Sequence, residues 1–332
     1  MLKQVFKTPL TSKLGIVHPI IQGGMHYVGY AEMAAAVSNA GGLGMVTSLT
    51  FPDADALRAE IRKCKSMTKN PFGVNMTLLP MLVPPDYEAY ARVVVEEGIK
   101  VVETAGHYKG LEPFVKLFKD NNIIIIHKCT QVRHALTAEK MGVDMVSMDG
   151  FEAAGHPGEA DVPNWVLYTK AARKLSVPWL ACGGCGDGSQ LAAALALGSS
   201  GMVMGTRFMA TKEAPIHANI KQALVDADEN STTLIMRSMK NTERVFKNKA
   251  VEELAAIEKE FPGDFSKIKH LIGGKIYRDV FQKSGDIDVG VWSAGVVMGL
   301  IDDVPTCHEL LQRIVSDAQF IIEDRLNGFL VK

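Results

Sequence analysis

The chain has 332 residues, 47% hydrophobic and 22% charged, which is enough to bury a large core in a soluble globular protein with one large domain and a smaller one. A formal charge of -1 leaves no basic stripe, and seven Tyr and three Trp offer few rings for base stacking, so nucleic acid is not an expected partner. Five scattered cysteines, no apolar core of signal-peptide length before Pro9 and no apolar stretch of membrane-span length lead to an expectation of a reducing, cytoplasmic setting without a disulfide framework or stable membrane insertion.

Eight short β-rich runs are predicted in chain order, at Pro19–Gln22, Gly44–Thr47, Phe72–Met76, Val101–Glu103, Ile123–His127, Met145–Met148, Trp179–Cys182 and Met202–Gly205. Between them, Tyr30–Ala40, Asp53–Lys65, Tyr87–Glu97, Leu111–Asp120, Val132–Met141, Val166–Leu175 and Gly188–Leu197 carry apolar residues at three-and-four spacing. Alternating strand and helix, with uninterrupted apolar strands, point to a parallel sheet covered on both faces. Eight repeats within the first 211 residues fit a closed (β/α)8 TIM barrel. The open doubly wound sheet loses, because Gln22-Gly23-Gly24-Met25 follows the first strand where a G-x-G-x-x-G would be needed.

Past Arg207 the pattern turns helical, at Ala214–Asp228, Thr242–Glu260 and Phe265–Leu271, with no clear strand between them. This predicts a helical subdomain over 212–288, followed by a segment, 289–332, whose amphipathic helix Cys307–Leu326 returns to the barrel wall.

In a barrel of this kind the chemistry sits where strands end. Two exits, Ala181-Cys182-Gly183-Gly184 and Val203-Met204-Gly205-Thr206, put bare backbone amides directly after apolar runs, the arrangement that holds a phosphate at the last two strands. Lys128 follows four isoleucines and a histidine and would emerge into the mouth, either to neutralise a cofactor's negative charge or form a Schiff base, or to cap its strand by pairing with Glu103 or Asp149. His156 stands in a loop too rich in glycine and proline to be helix, where an imidazole can exchange a proton with a substrate, or simply bond to a carbonyl. His127 is expected in the barrel packing, and Met25 and Met204 beside a flat ring. Cys182 and Cys185 form a C-x-x-C without a second ligand pair, so no metal is expected.

Pro19-Ile20-Ile21-Gln22-Gly23-Gly24-Met25, Pro71-Phe72-Gly73-Val74-Asn75, His127-Lys128-Cys129, Ala154-Gly155-His156-Pro157-Gly158, Gly183-Gly184 and Met204-Gly205-Thr206-Arg207-Phe208 together resemble the nitronate monooxygenase family, formerly called 2-nitropropane dioxygenases. Asn75-Met76-Thr77-Leu78-Leu79-Pro80, Asp149-Gly150-Phe151-Glu152 and Trp292-Ser293-Ala294-Gly295-Val296-Val297-Met298-Gly299 look most like its bacterial NADH:quinone reductase branch. The resemblance implies FMN in a TIM barrel with an added helical domain. It places around FMN Gly23, Gly24 and Met25 after the first strand, Asn75 after the third, and Lys128 after the fifth. Asp149, Ala154 and Gly155 would follow from the sixth, Gly183 and Gly184 from the seventh, and Met204, Gly205 and Thr206 from the eighth.

His156 would be the catalytic residue, NADH the electron donor and a quinone the acceptor. The alternative is oxidation of an alkyl nitronate by oxygen, and a remoter one is a flavin-binding protein without turnover. A homodimer is left open. His26-Tyr27 departs from the branch's more frequent Gln-Trp, and Cys182 from its Ser. Met81-Leu82-Val83-Pro84-Pro85 would form a gate.

Overall fold

The structure, a computed structural model, describes residues 2–78, 85–106 and 110–331. Eight parallel strands form one sheet: β1 Ile20–Gln22, β2 Gly44–Thr47, β3 Phe72–Leu78, β4 Val101–Gly106, β5 Ile124–Cys129, β6 Met145–Asp149, β7 Trp179–Cys182 and β8 Met202–Met204. β8 pairs with β1, setting Ile21 opposite Val203, and a bridge from Ile21 to Leu43 joins β1 to β2. The sheet therefore closes into a (β/α)8 barrel, with helices at all seven expected places between its strands. The expected gate lies, up to Pro84, outside the described residues.

Successive strand residues point to opposite faces, and here that alternation builds two cores. Outward residues such as Val74, Val102, Ile125, Val146 and Ala181 pack under the helices. Inward ones, Ile21, Met45, Val101, Ile126, Met145, Leu180 and Val203, make an apolar floor inside the barrel, and Leu10, Leu14 and Ile16 from the Pro9–Leu14 helix join it. Each fully buried Leu, Ile or Val contributes about 1.5–3 kcal/mol. Two residues further along the same strands the inward position turns polar: Val101 gives way to Glu103, Ile126 to Lys128, Met145 to Ser147 and Asp149, and Leu180 to Cys182. A polar layer thus rests on an apolar one.

After β8 the chain leaves the barrel, and here the strand-free helical expectation fails. An antiparallel hairpin, β9 Thr232–Ile235 with β10 Glu243–Phe246, stands within 212–288. The helix expected from Thr242 begins only at Lys249, where the Asn248 side chain accepts from the Val251 amide. The cause is legible afterwards: Thr232-Thr233-Leu234-Ile235 and Val245-Phe246 are β-branched and aromatic runs, and reading three-and-four spacing across Asn248 merged a strand with a helix. The first expected helix of this region shrinks to Ala218–Val225. The return segment forms a regular helix over Cys307–Phe320 and then widens into a π-type turn over Ile321–Leu326. It lies against the helices Gly188–Ala196 and Ala31–Asn39, filling the gap in the ring after β8. Among the described residues no helix is long and apolar enough to cross a membrane.

Candidate active site

Lys128 Nζ lies 3.4 Å from Asp149 Oδ2 and 3.6 Å from Glu103 Oε1. Burial works against its charge, but the two carboxylates outweigh it and hold the lysine well above its ordinary pKa, so it stays an ammonium. The pairing reading of Lys128 is the one seen here, with both Glu103 and Asp149, and its side chain keeps 17% exposure where that of Glu103 keeps 1%.

Glu103 was read from the sequence only as a pairing partner, yet it organises this corner. Its Oε2 accepts from the Gly24 amide at 2.8 Å and from Asn75 Nδ2 at 2.8 Å. A side chain on Gly24 would overlap Asn75, and one on Gly23 would meet Val203 Cγ1 at 2.9 Å and Lys128 Nζ at 3.4 Å. The Met25 amide donates to Thr47 Oγ1 at 3.0 Å, and its sulfur would stand 3.6 Å from a Cβ on Gly205. Gly23, Gly24, Met25, Asn75, Lys128 and Asp149 are thus brought together. The signal that could have found Glu103 is the strand's period of two, which sets it on the same face as inward Val101.

At the adjoining exits Gly183 and Gly184 take left-handed conformations, φ +89° and +70°, which an L side chain disfavours. Their carbonyls are tied down, Gly183 O by Asn164 Nδ2 at 2.6 Å and Gly184 O by Gln190 Nε2. Among the described residues the amides of Gly183, Gly184, Gly205 and Thr206 have no hydrogen-bond acceptor, and Thr206 opens a helix, where none is available within the helix. Free amides beside left-handed glycines fit a phosphate ester. Thr206 Oγ1 accepts from the Gly295 amide at 3.0 Å. Glu152 flanks Gly184, with burial raising its carboxyl above the ordinary range. Met204 corrects one expectation: Val203 faces inward, so the Met204 side chain points outward into the core beneath the helices, away from any ring at the mouth.

The loop after β6 is held by the added segment. Gly155 and Arg244 exchange backbone hydrogen bonds, 3.1 Å from the Gly155 amide and 2.6 Å from the Arg244 amide. The buried Arg244 guanidinium donates to Phe151 O at 2.9 and 3.2 Å and to Thr232 Oγ1 at 3.1 Å, and lies 4.7 Å from the Phe151 ring centroid. Beyond it, the Val296 amide donates to Glu152 O at 3.2 Å. His156 follows on this clamped loop, exposed, and its ring has no hydrogen-bond partner among the described residues. Ala154 and Gly155 lead into it. Sequence reading missed Arg244 because the hairpin itself was missed.

Two other histidines are enclosed by protein, His127 on the outward face of β5 and His26 in the loop after β1. His127 bonds Thr104 Oγ1 at 2.9 Å, and burial lowers its pKa to about 4, in keeping with a packing role. His26 stacks on Tyr27 with ring centroids 3.8 Å apart and has Tyr277 at 6.3 Å, so the departure from Gln-Trp makes an aromatic shelf where the added segment meets β1.

Known proteins bear on this arrangement. The nitronate monooxygenase family model matches residues 7–317. The chain belongs to the nitronate monooxygenase family. A relative from Mycobacterium tuberculosis, (3aS,4S,5R,7aS)-5-hydroxy-7a-methyl-1-oxo-octahydro-1H-indene-4-carboxyl-CoA dehydrogenase, is 30% identical over 94% of this chain and 96% of its own length. A probable nitronate monooxygenase of Staphylococcus haemolyticus is 28% identical over 77% of this chain and 83% of its own. The structure of FabK from Thermotoga maritima superposes with a TM-score of 0.90 at 31% identity, covering 98% of this chain and all of that one. This family member is an oxidoreductase of the flavin-dependent type.

Proposed function

We propose that this chain is an FMN-dependent NADH:quinone reductase, which moves a hydride equivalent from NADH and delivers two electrons and two protons to a quinone. When bound, FMN would supply the ring through which the two half-reactions are joined. The observation that carries the proposal is the charged Lys128, held between two carboxylates at the inner rim beside amides that have no acceptor among the described residues.

Gly183, Gly184, Gly205 and Thr206 would take the phosphate on their amides. Met25 would pack against the ring, with Gly24 and Asn75 shaping the surface beneath it. Lys128 would keep a fixed positive charge where added electrons accumulate, preorganised by its partners so that no reorientation is needed during transfer. His156, exposed and without a competing partner among the described residues, would orient the acceptor oxygen and hand it a proton.

The test is anaerobic mixing of the FMN-loaded protein with NADH, followed by candidate acceptors. Bleaching by NADH and recovery with a quinone support the proposal. Bleaching by an alkyl nitronate and not by NADH selects nitronate oxidation, the activity in the Staphylococcus haemolyticus relative's name. Recovery with an enoyl-CoA and not with a quinone selects thioester chemistry, which the CoA dehydrogenase relative favours.

A further inference from the structure

Glu103 does something the proposed chemistry does not require. Its carboxylate is buried; Oε2 is fully used by Gly24 and Asn75, while Oε1 has no hydrogen-bond donor among the described residues and faces Lys128 Nζ at 3.6 Å. A buried carboxylate oxygen without a donor is costly unless a nearby charge compensates it. One side chain on β4 therefore ties together the exit of β1, the side chain of β3 and the ammonium of β5. A neutral hydrogen-bonding residue would suffice to hold Gly24 and Asn75.

We infer that Glu103 is a positioning residue for the flavin site: Oε2 shapes the cradle after β1, and Oε1 fixes the place and the field of the Lys128 ammonium. This rests on the FMN reading above. Two carboxyl groups face one ammonium, so the field that reaches the ring is that of a compensated lysine. Removing the charge at Glu103 leaves Lys128 less compensated, and the site then favours the reduced, more electron-rich ring.

Two measurements test this: quenching of FMN fluorescence on titration into the apoprotein, and the midpoint potential of bound FMN against reference dyes. Glu103→Gln keeps an oxygen that can accept from Gly24 and Asn75, so affinity for oxidised FMN stays within about threefold of the parent. Its midpoint potential rises by an amount equal to about a tenfold gain in preference for reduced over oxidised FMN, roughly 30 mV for a two-electron couple. In a Lys128→Met background the same substitution moves the potential much less, because the ammonium through which it acts is gone. Glu103→Ala, which removes the acceptor as well, weakens FMN binding by at least about tenfold.

An unchanged potential in Glu103→Gln, or an equal shift with and without Lys128, overturns the assignment. Should Glu103→Gln not fold, Glu103→Asp draws the carboxylate back by one methylene and raises the potential by a smaller amount, and an unchanged value there overturns it equally. A parent apoprotein that does not quench FMN at all sinks the FMN reading itself, and that outcome is read before any variant is made.

Discussion

The two rims of the barrel mouth are held in different ways. Over β7 and β8 the rim is fixed locally: two left-handed glycines are tied by Asn164 and Gln190, close in the chain or in the same layer of helices. Beside it, the loop after β6 that bears His156 is held from far away, with Phe151 O bonded to Arg244, 93 residues on. The lesson is a division of labour: the rim that would grip the ligand depends on backbone conformation, and the rim that would handle the substrate depends on a tertiary clamp. Damage to the first should show in cofactor affinity, and damage to the second in turnover.

The largest effect is expected on the glycine rim. Gly184→Val places a β-branched residue at φ +70°, where L residues lose about 1–2 kcal/mol, and drives its Cβ into the Glu152 carboxylate. FMN affinity should fall by about a hundredfold while the far-UV circular dichroism of the barrel persists. Binding at the parent's strength would break the comparison, since the amides could then be reached around a side chain.

A smaller and different effect is expected from Arg244→Ala. It removes three guanidinium hydrogen bonds and the packing on Phe151, which costs about 3 kcal/mol of stability and frees the His156 loop. Turnover number should drop by about tenfold while FMN affinity changes little, and Arg244→Lys, which keeps the charge and loses the planar fork, should recover only part of it. Equal losses in affinity and turnover would erase the distinction between the rims.

The same contrast explains what could be read in the chain before its structure. All eight barrel strands were legible because Ile123-Ile124-Ile125-Ile126 and its counterparts are buried on both faces and leave no ambiguity of type. The glycine exits were legible because their geometry is local. The hairpin was not, since Thr232–Ile235 is four residues long and its burial depends on partners far along the chain. Arg244 disappeared with it. Glu103 was in plain view within β4, yet which oxygen meets which donor depends on three other strands, and no spacing rule supplies that. Met204 was misdirected by one residue of register, enough to turn a side chain through the barrel wall.

The smallest effects concern neither rim, and they separate stability from function by pH. His127 and His26 are both brought to about 4 by burial. Their folded pKa values lie below the unfolded value near 6.5, so the unfolded chain binds more protons between them, and stability present above about pH 6.5 is lost as pH falls towards 4. Glu97 titrates lower. Burial would raise it, but hydrogen bonds from Arg62, Lys65 and Arg58 bring it to about 2, so its contribution is present above the ordinary carboxylate range and is lost only as pH falls towards 2. Urea unfolding across this range should show a first decline belonging to the histidines and a second belonging to Glu97. Glu97→Gln should flatten the second decline and leave the first. At neutral pH it should lower the melting temperature by only about 1–3 °C, because the three partners are partly exposed, and it should leave FMN affinity untouched. If Glu97→Gln alters FMN affinity, the outer helices are coupled to the mouth, and neither rim can be treated as held by its own contacts alone.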